Sequence, residues 1–140
     1  MSLKRTKEWF EQAIPEPTIE QACIQIGCHF EEVDEMQQCL GNSYRIDDAA
    51  NYFKMAPQHE VEILGNFSDG IKEELLDSLV DQIVTAVGVG HMLDMDVLGA
   101  LEEVNRSNFS KFENGKAVFD ENGKITKGKN YSKPNLKPFV

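Results

Sequence analysis

The sequence predicts an all-α protein: an antiparallel bundle of four to five helices, followed by a short β-ribbon or extended C-terminal tail and completed by oligomerisation. Apolar residues recur at helical spacing over long stretches, most clearly in residues 18–40 and 71–91. Proline and Gly-Asn signals punctuate the chain between these stretches. Both Asn-Gly turn signals lie in the C-terminal third. With 140 residues, the chain fits one domain, residues 1–140, with its own core.

The first 40 residues predict two helices. A short helix rich in aromatic residues ends before Pro15, because proline disfavours helical geometry in the residue that precedes it. Thr18 begins the second helix, with Gln21 as its partner in a capping box. Gly41 stops this helix.

The middle of the chain predicts three helices. Residues 44–56 form the short helix, which Pro57 ends, and residues 65–70 form a loop. The helix over residues 71–91 is apolar nearly all round, which is typical of burial in a core or at a subunit interface. A further helix follows from residue 97 to 104.

The C-terminal segment, residues 111–140, differs from the rest in composition and charge. The two Glu-Asn-Gly-Lys copies predict turns, and Ala117-Val118-Phe119 between them predicts a small ribbon. Seven lysines against three acids give this segment a charge of +4, so the first 110 residues carry −14 of the total of −10. An acidic body with a basic tail attracts polyphosphate only if its acids hold a divalent metal.

Composition limits the classes of function. The negative charge disfavours nucleic-acid binding. No secretory signal and no run of about 18 apolar residues occurs, so we expect no membrane span. The cysteines Cys23, Cys28 and Cys39 are odd in number and form no Cys-x-x-Cys pair, which indicates reduced thiols in a cytoplasmic protein.

Two groups of carboxylates share a helical face. At about 100° per residue, Glu31, Glu32 and Glu35 fall within an arc of about 100°. By the same arithmetic, Glu74, Asp77 and Asp81 span about 60° on a helix with little other polar surface. Paired in space, two such faces would offer oxygen ligands suited to Mg²⁺ or Mn²⁺. A solvated charged face is the alternative for the first group.

Four stretches resemble one known family, the all-α nucleoside triphosphate pyrophosphohydrolases of the MazG-like superfamily. They are Glu31-Glu32-Val33-Asp34-Glu35, Leu76 to Asp81 followed by Gly88, Glu103 to Lys111, and Lys127 to Leu136. The likeness covers most of residues 18–140. The second stretch departs from the family's Glu-x-x-Asp pattern, because Ser78 stands at the glutamate position. Either Asp77 replaces that glutamate, or the motif lies one turn earlier as Glu74-x-x-Asp77.

The resemblance implies a Mg²⁺-dependent hydrolysis of a nucleoside triphosphate to a monophosphate and pyrophosphate, with dUTP or non-standard nucleotides as substrates. It implies metal ligands at Glu31, Glu32, Glu35, Asp77 and Asp81. Glu32 and Glu35 are the catalytic candidates, with Glu32 as the proton acceptor. It also implies phosphate or base contacts from Arg106, Asn108, Lys111, Lys127 and Tyr131. Members of the family are dimers or tetramers.

Two alternatives stay open. A phosphoribosyl-ATP pyrophosphatase would use the same metal chemistry. An acidic interaction protein that mimics DNA would account for the net charge of −10, but not for acids on an apolar helix or for the basic tail.

Overall fold

The computed structural model describes residues 2–39 and 46–140, and these residues are mostly helical. The helices are α1 (Ser2–Ala13), α2 (Ile19–Cys39), α3 (Asp47–Lys54), α4 (Gln58–Gly65), α5 (Asp69–Met92) and α6 (Val97–Phe109). Two short strands, β1 (Val118–Phe119) and β2 (Ile125–Thr126), pair into a ribbon, and a 3-10 turn spans Lys137–Phe139. The all-α class is therefore confirmed. The predicted stop at Gly41 and the predicted start of the short helix lie outside the described residues.

The chain forms two compact units. The first comprises Met1–Pro15, Ser68–Val118 and Ile125–Val140, and the second comprises Glu16–Phe67 and Phe119–Lys124. Helices α1, α5 and α6 belong to the first unit, and α2, α3 and α4 belong to the second. The predicted single domain over residues 1–140 stays a prediction.

Aromatic packing between α1 and the end of α6 builds the core of the first unit. The Trp9 and Phe112 rings stack nearly parallel, with centroids 5.7 Å apart, and both side chains are buried with Ala13. Asn105 of α6 is 1% exposed and accepts a hydrogen bond of 2.9 Å from the Thr6 hydroxyl of α1. A buried amide needs such a partner, so this bond fixes how α1 lies on α6.

Close backbone packing joins α5 to α6. A Cβ atom at Gly90 would lie 2.0 Å from a methyl carbon of Val97, so only glycine fits there. Gly90 therefore permits a close approach of the two helices. A Cβ atom at Gly88 would meet no packing neighbour within 4 Å among the described residues.

The second unit begins with the predicted capping box. The Gln21 backbone N–H donates to the Thr18 hydroxyl at 3.2 Å, and the Thr18 N–H donates to the Gln21 side-chain oxygen at 2.9 Å. Farther along α2, a Cβ atom at Gly27 would lie 2.7 Å from the carbonyl oxygen of Ala50. Glycine therefore lets α3 approach α2 closely, next to the fully buried Cys23.

Two features of the helices differ from prediction. Helix α4 was missed: Pro57 was interpreted as the end of a helix, but it also stands at the N-cap of α4, where its φ of −62° suits a helix start. Helix α5 is not buried in the core of the chain, because nine of its large apolar side chains are 38% to 62% exposed. The other prediction for α5, a subunit interface, stays a prediction.

No single helix among the described residues is long and apolar enough to cross a membrane, although α5 and α6, bent by 118°, meet the length and composition criteria as a pair.

Candidate functional site

The three predicted ligands of α2 lie in the second unit, near the C-terminal end of that helix. Glu32 and Glu35 are exposed, and within residues 2–39 and 46–140 neither carboxylate has a hydrogen-bond or ion-pair partner. Their oxygens are therefore available to a ligand. Glu31 differs, because its side chain is 31% exposed and fully engaged.

Glu31 is held by two lysines. The Lys54 ammonium lies 2.6 Å from Oε1, and the Lys124 ammonium lies 2.6 Å from Oε2. The hydrogen bonds from Lys124 and then Lys54 hold the pKa of Glu31 below its usual value, against the opposing effect of burial. The two ammonium groups place positive charge beside this carboxylate, which disfavours a metal ion there.

Local structure explains why the two lysines reach Glu31. Lys54 is the last residue of α3, which the close contact at Gly27 brings onto α2. Lys124 ends a tight turn in which the Asp120 carboxylate accepts hydrogen bonds from the backbone N–H groups of Asn122 and Lys124, at 2.9 and 3.0 Å. The hydrogen bond to Glu31 in turn raises the pKa of Lys124.

The predicted ligands of α5 lie in the first unit. Asp77 and Asp81 are exposed, and their carboxylates have no partner among the residues that the structure describes. The alternative ligand Glu74 is exposed as well. The structure thus leaves four of the five predicted ligand carboxylates without a protein partner, namely Glu32, Glu35, Asp77 and Asp81.

The metal site itself stays a prediction. In the part of the chain that the structure describes, no group of three or more His, Cys, Asp or Glu side chains has an arrangement that could hold a metal ion. Carboxylate oxygens are the donors that Mg²⁺ prefers, so the chemistry of the four free side chains suits it.

The predicted substrate-binding residues lie in the first unit, on α6 and the segment that follows. Arg106 donates two hydrogen bonds of 2.8 Å to Glu103 and a third, of 3.3 Å, to the carbonyl oxygen of Lys133. Glu103 also accepts the backbone N–H of Asn135 at 2.8 Å. Arg106 and then Asn135 lower the pKa of Glu103 to about 2. In this arrangement Arg106 anchors the tail on α6.

The other members of this set take part in packing. The Lys127 ammonium lies 4.9 Å from the centroid of the Tyr131 ring, and the Lys111 ammonium lies 5.8 Å from that of Trp9. Both are cation–π contacts. Asn108 is half-buried near the C-terminal end of α6. The structure therefore brings Lys127 and Tyr131 together, and the phosphate and base contacts of this set stay predictions.

One cavity was not predicted from the sequence. It has a volume of about 480 Å³ and lies wholly within the second unit. Its lining residues are Ile24, Asn51, Lys54, Met55, Asp120, Asn122 and Lys124. The second Glu-Asn-Gly-Lys stretch contributes Asn122 and Lys124 to this lining. From the sequence it predicted a turn, but not which residues the turn contacts.

In comparisons with known proteins, the chain matches no protein-family model, no curated protein and no solved structure.

Proposed function

We propose that this chain is a Mg²⁺-dependent, cytoplasmic nucleoside triphosphate pyrophosphohydrolase that acts as a homodimer or homotetramer. The observation that carries the proposal is the pair of helices with unpartnered carboxylates. Glu32 and Glu35 on α2, and Asp77 and Asp81 on α5, have no protein partner among the described residues. Acids that repel one another without compensation are stabilised when a divalent ion binds.

In this proposal Glu32 and Glu35 of α2, Asp77 and Asp81 of α5, and Glu31 are the ligands of Mg²⁺, and the two lysines on Glu31 make it the weakest of them. When bound, the ion supplies positive charge that stabilises the phosphoryl oxygens and lowers the pKa of a water molecule. Glu32 accepts the proton of the attacking water. Attack at the α-phosphorus breaks its bond to the bridging oxygen, and pyrophosphate leaves.

The basic segment supplies the contacts to substrate in this proposal. Asn108, Lys111 and Lys127 contact phosphates, and Tyr131 borders the base. Arg106 contributes a guanidinium beside the tail, although its hydrogen bonds to Glu103 give it a positioning role first. Residues 111–140 would then cover the bound nucleotide.

The exposed apolar surface of α5 supports assembly with further copies of the chain. Nine large apolar side chains on one helix are 38% to 62% exposed. An exposed apolar surface of this kind usually marks an interaction site.

The test is pyrophosphate release from a panel of nucleotides with Mg²⁺, including dUTP, non-standard triphosphates and phosphoribosyl-ATP. We expect Glu35→Gln and Asp81→Asn to abolish turnover while the circular-dichroism spectrum is unchanged. Glu20→Gln and Asp69→Asn are matched controls, because these exposed acids lie near the start of the same two helices. Full activity in both site variants would contradict the assignment of the ligands. An inactive wild type would favour the acidic interaction protein.

A further inference from the structure

The cavity of the second unit has the composition of a small-molecule site. Its volume of about 480 Å³ lies within the roughly 300–1,000 Å³ typical of ligand pockets. Ile24 and Met55 provide apolar wall, and Asn51 and Asn122 provide two amide groups. Pockets for small molecules typically combine apolar surface with a few polar groups in this way.

The two lysines of the cavity retain hydrogen-bonding capacity. Each ammonium has three N–H donors, and the hydrogen bond to Glu31 uses one of them. The side chains of Lys54 and Lys124 are 23% and 42% exposed, so neither is sealed from solvent. Because Glu31 holds both by one carboxylate, the two ammonium groups are fixed close to each other.

Two acids lie at or beside the cavity, namely Asp120 of its lining and Glu31, which contacts both lining lysines, and each already accepts from donors. Both oxygens of Glu31 accept from lysines, and Asp120 accepts from two backbone N–H groups. The lining itself holds two lysines against one acid, so it carries a net positive charge. A ligand with many acceptor oxygens, above all a phosphate group, suits that charge.

We propose that this cavity binds a phosphate monoester, with Lys54 and Lys124 donating to the phosphate and the side chains of Asn51 and Asn122 contacting the rest of the ligand. Choosing a nucleotide as that ester rests on the proposed function. Binding itself requires neither Mg²⁺ nor hydrolysis, so it can be measured separately.

The repeat in the sequence provides matched controls. Lys116 and Asn114 occupy the same places in the first Glu-Asn-Gly-Lys copy as Lys124 and Asn122 in the second, but they belong to the first unit. Lys124→Met is thus compared with Lys116→Met, and Asn122→Asp with Asn114→Asp. The asparagine variants keep the Lys–Glu–Lys contact intact, so they test the cavity even if Lys124→Met unfolds the unit.

The experiment is isothermal titration of the full chain, in EDTA, with inorganic phosphate, dUMP and uncharged deoxyuridine. We expect dUMP to bind, deoxyuridine to bind much more weakly, and Lys124→Met and Asn122→Asp to reduce dUMP affinity about tenfold or more. The two controls should bind like the wild type. No binding of dUMP, equal binding of deoxyuridine, or equal losses in the controls would overturn the proposal.

Pyrophosphate release is measured in parallel with Mg²⁺ to separate the two proposals. An inactive protein that binds dUMP through Lys124 contradicts the proposed function alone. An active protein whose dUMP affinity is unchanged by Lys124→Met and Asn122→Asp contradicts the cavity assignment alone.

Discussion

At Glu31, two ammonium groups share one carboxylate, and this sets how the residue contributes to stability at different pH values. The pKa of Glu31 is lowered in the folded chain, so its contribution is present above the unfolded pKa of about 4.5 and is lost as pH falls below it. The pKa of Lys124 is raised above 10.5, so its contribution is present below that value and is lost as pH rises through the higher folded pKa. The contact is therefore strongest between these limits.

Glu31→Gln should destabilise the chain by about 1 kcal/mol at pH 7, a modest amount because solvent screens these partly exposed groups. Urea unfolding of wild type and variant at pH 7 and at pH 3.5 measures the difference, which should shrink at the lower pH. Glu35→Gln is the matched control, since this exposed acid of the same helix has no partner among the described residues. A difference that stays constant with pH would contradict this account.

The Glu103 carboxylate anchors the C-terminal tail on α6. Its carboxylate joins Arg106 of α6 to the backbone of Asn135, and its folded pKa is about 2 against 4.5 unperturbed. The stabilisation is complete above pH 4.5 and is lost as pH falls through about 2. Glu103→Ala should free the tail, which limited proteolysis with chymotrypsin at pH 7 would detect as faster cleavage after Tyr131 or Leu136. Glu102→Ala serves as the control, and equal cleavage rates in both variants would contradict the anchoring role.

The residue types of the candidate site were predictable, and their contacts were not. Helical spacing was enough to group Glu31, Glu32 and Glu35, because neighbours on a helix are set by sequence distance alone. The engagement of Glu31 by Lys124 joins residues 93 positions apart. No local pattern encodes such a contact, so Glu31 was predicted to have the same role as Glu32 and Glu35.

Among the elements, the packing of α2 on α3 depends on a missing side chain. A Cβ atom at Gly27 would lie 2.7 Å from Ala50 O and from the backbone nitrogen of Lys54, and backbone cannot move aside easily. Gly27→Ala should therefore destabilise the second unit by about 1–3 kcal/mol, the usual range for overpacking. Gly88→Ala is the comparison, because a Cβ atom there meets nothing within 4 Å and alanine favours helix by about 0.5–1 kcal/mol. Thermal unfolding of both variants tests the sign of each change.

The elements found from sequence are those with a long periodic pattern or a clear cap. The capping box at Thr18 fixed the start of α2, and the prolines after α1 marked its end. Helix α4 has only 8 residues between Pro57 and Asn66, too few to establish a period. Its existence depends on packing against α2, which the sequence pattern does not report.

At the scale of the whole molecule, the feature to explain is the exposed apolar surface of α5. Leu76 and Val84 are each 62% exposed, eight residues apart on a helix whose apolar residues extend nearly all round it. Exposed apolar side chains do not make a protein more soluble. The apolar pattern of this helix in the sequence predicted that they are buried. The single chain does not bury them, which favours burial between copies, as the proposed function requires.

Leu76→Lys should therefore convert a dimer or tetramer into a monomer. Burying a leucine contributes about 1.5–3 kcal/mol, and a symmetric interface uses it twice, so the dissociation constant should rise about a hundredfold or more. Sedimentation velocity over a range of concentrations measures the change. Leu3→Lys on α1, where the side chain is 55% exposed, is the matched control and should leave the assembly unchanged. Because Leu76 is already exposed in the single chain, the monomeric variant should keep its helical content, and loss of helix would indicate that α5 packs within one chain instead. A wild type that sediments as a monomer at all concentrations would remove the role of α5 as an interface, and with it the homo-oligomer part of the proposed function.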